Sequence, residues 1–185
     1  MLAIARKVDP KKAEAAMRLL VSASVRLTIA GGAKSAARSG LVEEALAGLA
    51  KAVSDGTITT AKKILEALDD VVPKDPQFEE AFANASVSKA ELARYYLRCL
   101  ETTAQGSENP YYLPNEDSAV INLEHVLPRN PESNWPNFTA DLAEAYHRRL
   151  GNMALLLAKA NADLKNLGFA DKRDIYKESG YVLTA

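Results

Sequence analysis

Apolar residues recur at helical spacing through most of the first hundred residues, and this pattern constrains the possible fold strongly. The stretch 59–72, for example, places five Ile, Leu and Val residues on one stripe and ends before Pro73. These stretches carry no cluster of ionisable residues that would suggest chemistry, so we interpret them as a helical scaffold. The predicted helices cover residues 11–29, 41–53, 59–72, 75–85 and 92–101.

The composition excludes several classes of protein. The 185-residue chain is 48% hydrophobic, which suits a buried core, and it has no apolar run near the roughly 18 residues of a membrane span. Its 23 basic and 24 acidic residues lack the basic excess of a dedicated nucleic-acid-binding domain. The single cysteine, Cys99, permits no internal disulfide and no cysteine-based zinc site, and we expect its thiol to be packed. These features favour a cytoplasmic protein without a membrane partner.

The pattern changes after residue 103. Residues 104–118 are rich in Gly, Pro, Asn and Ser, which predicts a loop. The β-branched run 119–123 predicts a strand, whereas the apolar run 153–157 could be a buried strand or a helix. We predict a helical scaffold over 1–103 and a second part over 104–185, forming one compact unit or a piece of a longer protein. Further helices are predicted at 139–149 and from about Ala160 onward, with an interruption at Gly168.

Polar residues lie at the junctions of these later elements. Glu124 and His125 follow the first strand, Asn152 precedes the second apolar run, and Asn161 lies in the next helix. A buried strand gains nothing from two ionisable groups unless they are paired, so the Glu–His pair either faces solvent or serves chemistry. Taken singly, these residues are more often structural, since Asn commonly caps helices and Gly-Asn commonly ends them. The other histidine, His147, is expected on a helix surface, outside any site.

Further motifs accompany these residues in a fixed order. They are Glu124-His125-Val126-Leu127-Pro128, Trp135, Leu150-Gly151-Asn152, Asn161, and Phe169, Lys172 and Tyr176 with Ser179. Together they resemble the HNH, or His-Me finger, nucleases. They are more closely similar to the C-terminal domain of the GmrSD-type modification-dependent restriction endonucleases, over roughly residues 75–185. The resemblance implies a mainly α fold in which a helical scaffold is followed by a small ββα-metal finger.

The resemblance also implies a metal-dependent hydrolysis of phosphodiester bonds. By position, His125 would be the general base, a role that suits a neutral imidazole near pH 7. Glu124 and Asn161 would hold Mg²⁺ or Mn²⁺ through oxygen atoms, the ligands that such hard cations prefer. Asn152 would brace the loop and orient the histidine ring or the substrate.

Two points qualify this set of residues. Lys172 and Arg173 would contact phosphate oxygens, which is the least specific of the assignments. Successive residues of a strand point to opposite faces, so Glu124 and His125 reach one site only if the strand is distorted, as the nearby Pro128 suggests. In a regular strand, Glu124 would not be a ligand.

The implied substrate is DNA, cut to 5′-phosphate and 3′-hydroxyl ends, and the implied role is defence against foreign or modified DNA. Relatives commonly carry an N-terminal nucleotide-dependent domain resembling ParB, so such a domain or subunit outside this chain is an expected partner. Two alternatives stay open. One is a non-catalytic helical interaction module with a purely structural finger, and the other is an RNase that uses the same finger.

Overall fold

A computed structural model describes residues 1–31, 36–106, 117, 119–131 and 133–185. The chain is mainly helical, as the sequence predicts, with one small sheet of two strands in the described part. Contacts within the chain divide it into two compact units, residues 1–83 and 84–185. Each unit is described separately below.

The described residues of the first unit form five helices. Helix α2 (Pro10–Ala30) begins after Asp9, whose side chain accepts a hydrogen bond from the Lys11 N–H at 3.1 Å. Pro10 occupies the first turn, where no intrahelical N–H is needed. The other helices are α1 (Leu2–Lys7), α3 (Ala36–Ser54), α4 (Ala61–Ala67) and α5 (Asp75–Ala83). Their shared core consists of Ile4, Val8, Ala16, Ala23, Leu49, Val53, Ile64 and Leu68.

The second unit contains every predicted site residue. Strands β1 (Ile121–His125) and β2 (Met153–Leu157) pair antiparallel in a regular register, with Ile121 opposite Leu157 and His125 opposite Met153. The run 153–157 is a strand because it completes this ladder and is covered by helices that pack on it. The helices are α6 (Ala90–Ala104), α7 (Ala140–His147), α8 (Ala158–Leu164) and α9 (Phe169–Lys177), and a 3₁₀ turn covers Leu150–Asn152.

Most predicted elements are confirmed, with differences at their ends. The helix predicted over 59–72 is shorter, because α4 covers Ala61–Ala67 only, and α1 was not predicted. The unit boundary lies earlier than the predicted one after residue 103, since α6 packs against both strands. The predicted loop 104–118 lies largely outside the described residues.

Two further observations concern the surface of the protein. The expectation that Cys99 is packed is wrong: Cys99 is exposed, because it lies on the face of α6 that is directed away from the core. Among the helices in the described ranges, none is both long and apolar enough to cross a membrane.

Candidate active site at the end of the first strand

Glu124 and His125 lie on opposite faces of a regular two-stranded ladder. Residues directly opposite each other in such a ladder share a face, so His125 lies beside Met153 and Glu124 beside Ala154. Glu124 is buried, whereas His125 is partly exposed at the strand end. The strand distortion that would bring both side chains into one site is therefore not observed.

The Glu124 face is closed by helix α9. The Lys172 ammonium donates a hydrogen bond to Glu124 Oε1 at 2.7 Å, and the Tyr176 hydroxyl donates to the same oxygen at 3.0 Å. Lys172 is fully buried, and burial followed by the nearby Glu124 carboxylate raises the pKa of Tyr176. Positions four apart on a helix share a face, which explains why α9 presents both side chains to the same carboxylate.

This buried cluster changes two of the sequence-based assignments. Glu124 Oε1 is not available to a metal ion, because a dication there would face the ammonium 2.7 Å away, and a role of Glu124 as a ligand stays a prediction. Lys172 does not fit as a phosphate contact, because its side chain is 0% exposed and its ammonium is bound to protein groups. The physical reason is the same for both residues: two opposite charges removed from water must satisfy each other.

Lys172 also holds the backbone of the site. Its ammonium donates to the carbonyl oxygens of His125 at 3.0 Å and Val126 at 3.2 Å. A lysine ammonium has three donors, and these two bonds together with the Glu124 bond use all of them. Lys172 therefore fixes the chain at the point where β1 ends.

Asn152 fixes the next residue of the same loop. Its side-chain oxygen accepts from the Leu127 N–H at 2.8 Å, and its side-chain nitrogen donates to the Leu127 carbonyl at 3.0 Å. The Asn152 carbonyl also accepts from the Val126 N–H at 2.9 Å. These contacts are the ones that the loop-bracing interpretation of Asn152 requires. Its contact with a substrate stays a prediction.

The His125 ring lies face to face with the ring of His147. The ring centroids are 4.1 Å apart and the planes differ by 16°. Burial, then the neighbouring His147 and Lys172, lower the pKa of His125 to about 4. The His125 ring is consequently neutral at pH 7 and can accept a proton, although a lower pKa also makes it a weaker base.

The sequence analysis expected His147 on a helix surface outside any site, whereas the structure places its ring against that of His125. His147 ends α7 and is half-buried, and burial together with the nearby Arg129 lowers its pKa. A signal was present in the sequence. Once 153–157 is taken as a strand antiparallel to 121–125, residues shortly before Met153 must return to the end of the first strand.

Asn161 and Arg173 are not joined to the paired rings by any hydrogen bond or ion pair in the described ranges. Asn161 lies half-buried on α8, where its amide makes no hydrogen bond with a described residue. Arg173 is exposed on α9, with Asp174 3.7 Å away. Their predicted roles in binding a cation and phosphate stay predictions.

The side chains in the described residues do not by themselves form a cation site, so the predicted metal ion stays a prediction. No three His, Cys, Asp or Glu side chains in the described part of the chain converge to hold a metal ion. Glu124 Oε1 already accepts from Lys172 and Tyr176, whereas no hydrogen bond within the described residues occupies the side-chain oxygen of Asn161. Mg²⁺ is usually held by one or two carboxylates together with water and substrate phosphate, so a cation at Asn161 would need most of its ligands from water and substrate.

The loop after β1 is attached to the rest of the unit by Trp135. This side chain is buried with Leu127 and Ala143, and its indole N–H donates to the Leu167 carbonyl at 3.1 Å. The Arg129 side chain bonds Glu144 at 2.9 Å, so the same loop is also joined to α7. The loop that carries the site is therefore attached on two sides.

The second unit thus contains a two-stranded antiparallel hairpin flanked by helices, with His125 at the end of its first strand. Among known families, the model described as "GmrSD restriction endonucleases, C-terminal domain" matches residues 72–185. Since this match covers more than half of the chain, the protein belongs to that family of restriction endonuclease domains. Comparison with curated proteins and with solved structures gave no match.

Proposed function

We propose that this protein is a metal-dependent endonuclease that hydrolyses DNA phosphodiester bonds with His125 as its general base. The observation that carries the proposal is the environment of His125. Its ring is partly exposed, neutral at pH 7, and bound to no hydrogen-bond partner among the described residues. The family of restriction endonuclease domains supports DNA as the substrate.

The chain's own groups support a simple hydrolytic sequence. His125 removes a proton from a water molecule, the resulting hydroxide attacks phosphorus, and the bond from phosphorus to the 3′ oxygen breaks. The leaving oxygen takes a proton from solvent. Neutralisation of the phosphate charge is the chemistry that Mg²⁺ or Mn²⁺, held by Asn161, supplies when bound.

Phosphate contact is better assigned to Arg148 than to Lys172. Arg148 follows α7, is exposed, and makes no ion pair within the described chain. Its charge is close enough to help lower the pKa of His147, so it lies near the paired rings. An exposed guanidinium next to His147 can bind phosphate oxygens with two parallel hydrogen bonds.

The proposal is tested by nicking of supercoiled plasmid DNA in Mg²⁺ or Mn²⁺. We expect nicking by the native chain, a loss of roughly a hundredfold or more in His125→Ala, and native rates in Glu178→Ala, an exposed position at the end of α9. Absence of nicking with either cation would favour a non-catalytic helical module. Faster cleavage of RNA than of DNA would favour an RNase.

A further inference from the structure

Within the part of the chain that the structure describes, His125 makes no hydrogen bond of the kind that usually orients a catalytic imidazole. Neither ring nitrogen bonds to a described residue, and the one bond from Lys172 to His125 is accepted by its backbone carbonyl. The ring stacks on that of His147, and this contact restrains its plane. A base must hold its nitrogen in line with the attacking water, and small misplacements are costly in rate.

We infer that His147 is the positioning residue for His125, acting through the face of its ring. The inference rests on the proposed function and adds a residue to the same site. Two nearly parallel rings 4.1 Å apart prevent the His125 ring from tilting about its side-chain bonds. A half-turn that exchanges its two nitrogens keeps the plane and remains allowed.

The position of His147 is itself fixed from several sides. Thr139 caps the start of α7 by accepting a hydrogen bond from the Leu142 N–H, and Ala143 is fully buried against Leu127 and Trp135. After the helix, the Arg148 carbonyl accepts from the Val87 N–H at 2.8 Å. The helix end that carries His147 is thus attached to the same unit on both sides.

The geometry argues against a cation shared by His147 and His125. The lone pairs of an imidazole lie in its plane, so two parallel rings cannot direct their nitrogens at one cation between them. The Nδ1 atom of His147 is buried and has no hydrogen-bond partner in the described structure. The ring is therefore held by packing, and its flat face is the part that His125 uses.

The test distinguishes a role of the flat face of the His147 ring from a role of its nitrogen atoms. His147→Phe keeps a flat ring beside His125, whereas His147→Ala removes it. We expect kcat for plasmid nicking to fall roughly 10- to 100-fold in His147→Ala with KM unchanged, and to be largely retained in His147→Phe. Leu142→Ala, an exposed position on the same helix, is the matched control with native kcat.

A second readout does not depend on activity. In NMR spectra of ¹³C-labelled histidine, the His125 ring protons should be shifted upfield by the adjacent ring, lose the shift in His147→Ala and keep it in His147→Phe. An unchanged kcat in a folded His147→Ala, or equal losses in both variants, would overturn the positioning role. If the native chain shows the upfield shift of the His125 ring protons but does not nick DNA, the nuclease proposal is overturned while the stack of His147 on His125 is retained.

Discussion

At the scale of single residues, Lys172 and Glu124 form a buried ion pair directly behind the backbone of His125. Such a pair contributes little net stability compared with apolar residues, because both charges lose their hydration. Removing one partner is far more costly, since the other charge is left buried without compensation. We therefore interpret the main effect of the pair as fixing the position of α9 relative to β1.

Replacing Lys172 with methionine tests this role. We expect Lys172→Met to lower the free energy of unfolding by about 3–5 kcal/mol, because Glu124 is left unpaired. Urea denaturation measures the change. The control Arg173→Met, at the exposed neighbouring position, should change it by less than about 0.5 kcal/mol. A loss in Lys172→Met as small as that of the control would contradict the buried pair.

The lowered pKa of His125 predicts a pH dependence of stability. The folded protein binds this proton only near pH 4, whereas an unfolded chain binds it near pH 6.5. Between these values the unfolded state binds more protons, so the His125 contribution is complete above about pH 6.5 and is lost as the pH falls toward 4. NMR titration of the ring should show a neutral imidazole at pH 6. A midpoint at or above 6.5 would contradict the burial of the ring.

At the scale of elements, Asn152 joins the start of β2 to the loop after β1. Asn152→Ala removes both side-chain hydrogen bonds to Leu127. The part-buried backbone N–H and carbonyl of Leu127 then lose their hydrogen-bond partners. We expect a loss of about 1–3 kcal/mol in unfolding free energy and faster hydrogen exchange at the Leu127 amide. Asn137→Ala, in the exposed part of the same loop, is the control. An unchanged rate of hydrogen exchange at the Leu127 amide would show that the Asn152 side chain does not stabilise this loop.

The helices were predictable from sequence because apolar periodicity and Pro or Gly boundaries act locally. The strand 153–157 was not predictable, because a run of five apolar residues shows neither helical nor strand periodicity. Its pairing with β1 decides its conformation. The end of α4 at Ala67 also depends on packing that the pattern of residues 59–72 does not contain.

For the site, the sequence predicted residues that the structure brings to the end of the hairpin, but not the contacts that they make. His125 and Asn152 lie at the end of the hairpin because the motif order reflects chain pairing. Glu124 and Lys172 were assigned separate contacts with metal and phosphate, whereas the structure pairs them with each other across 48 residues. Such a long-range contact, like the stack of His147 on His125, depends on tertiary packing and not on local pattern.

At the scale of the whole molecule, the second unit contains all of the site residues and has its own buried residues. We predict that a fragment of residues 84–185 unfolds cooperatively in urea and nicks plasmid DNA at the rate of the full chain. A domain of this size can bury enough apolar surface to fold alone. A fragment that folds but does not cut would show that residues 1–83 contribute to activity.

Chemical rescue is the measurement that tests the role of His125 most directly. His125→Ala leaves a space beside the His147 ring into which free imidazole can stack. We predict that added imidazole restores part of the metal-dependent nicking of plasmid DNA in His125→Ala and has no such effect on Asn152→Ala. Native nicking by His125→Ala without any imidazole would contradict the assignment of His125 as the general base.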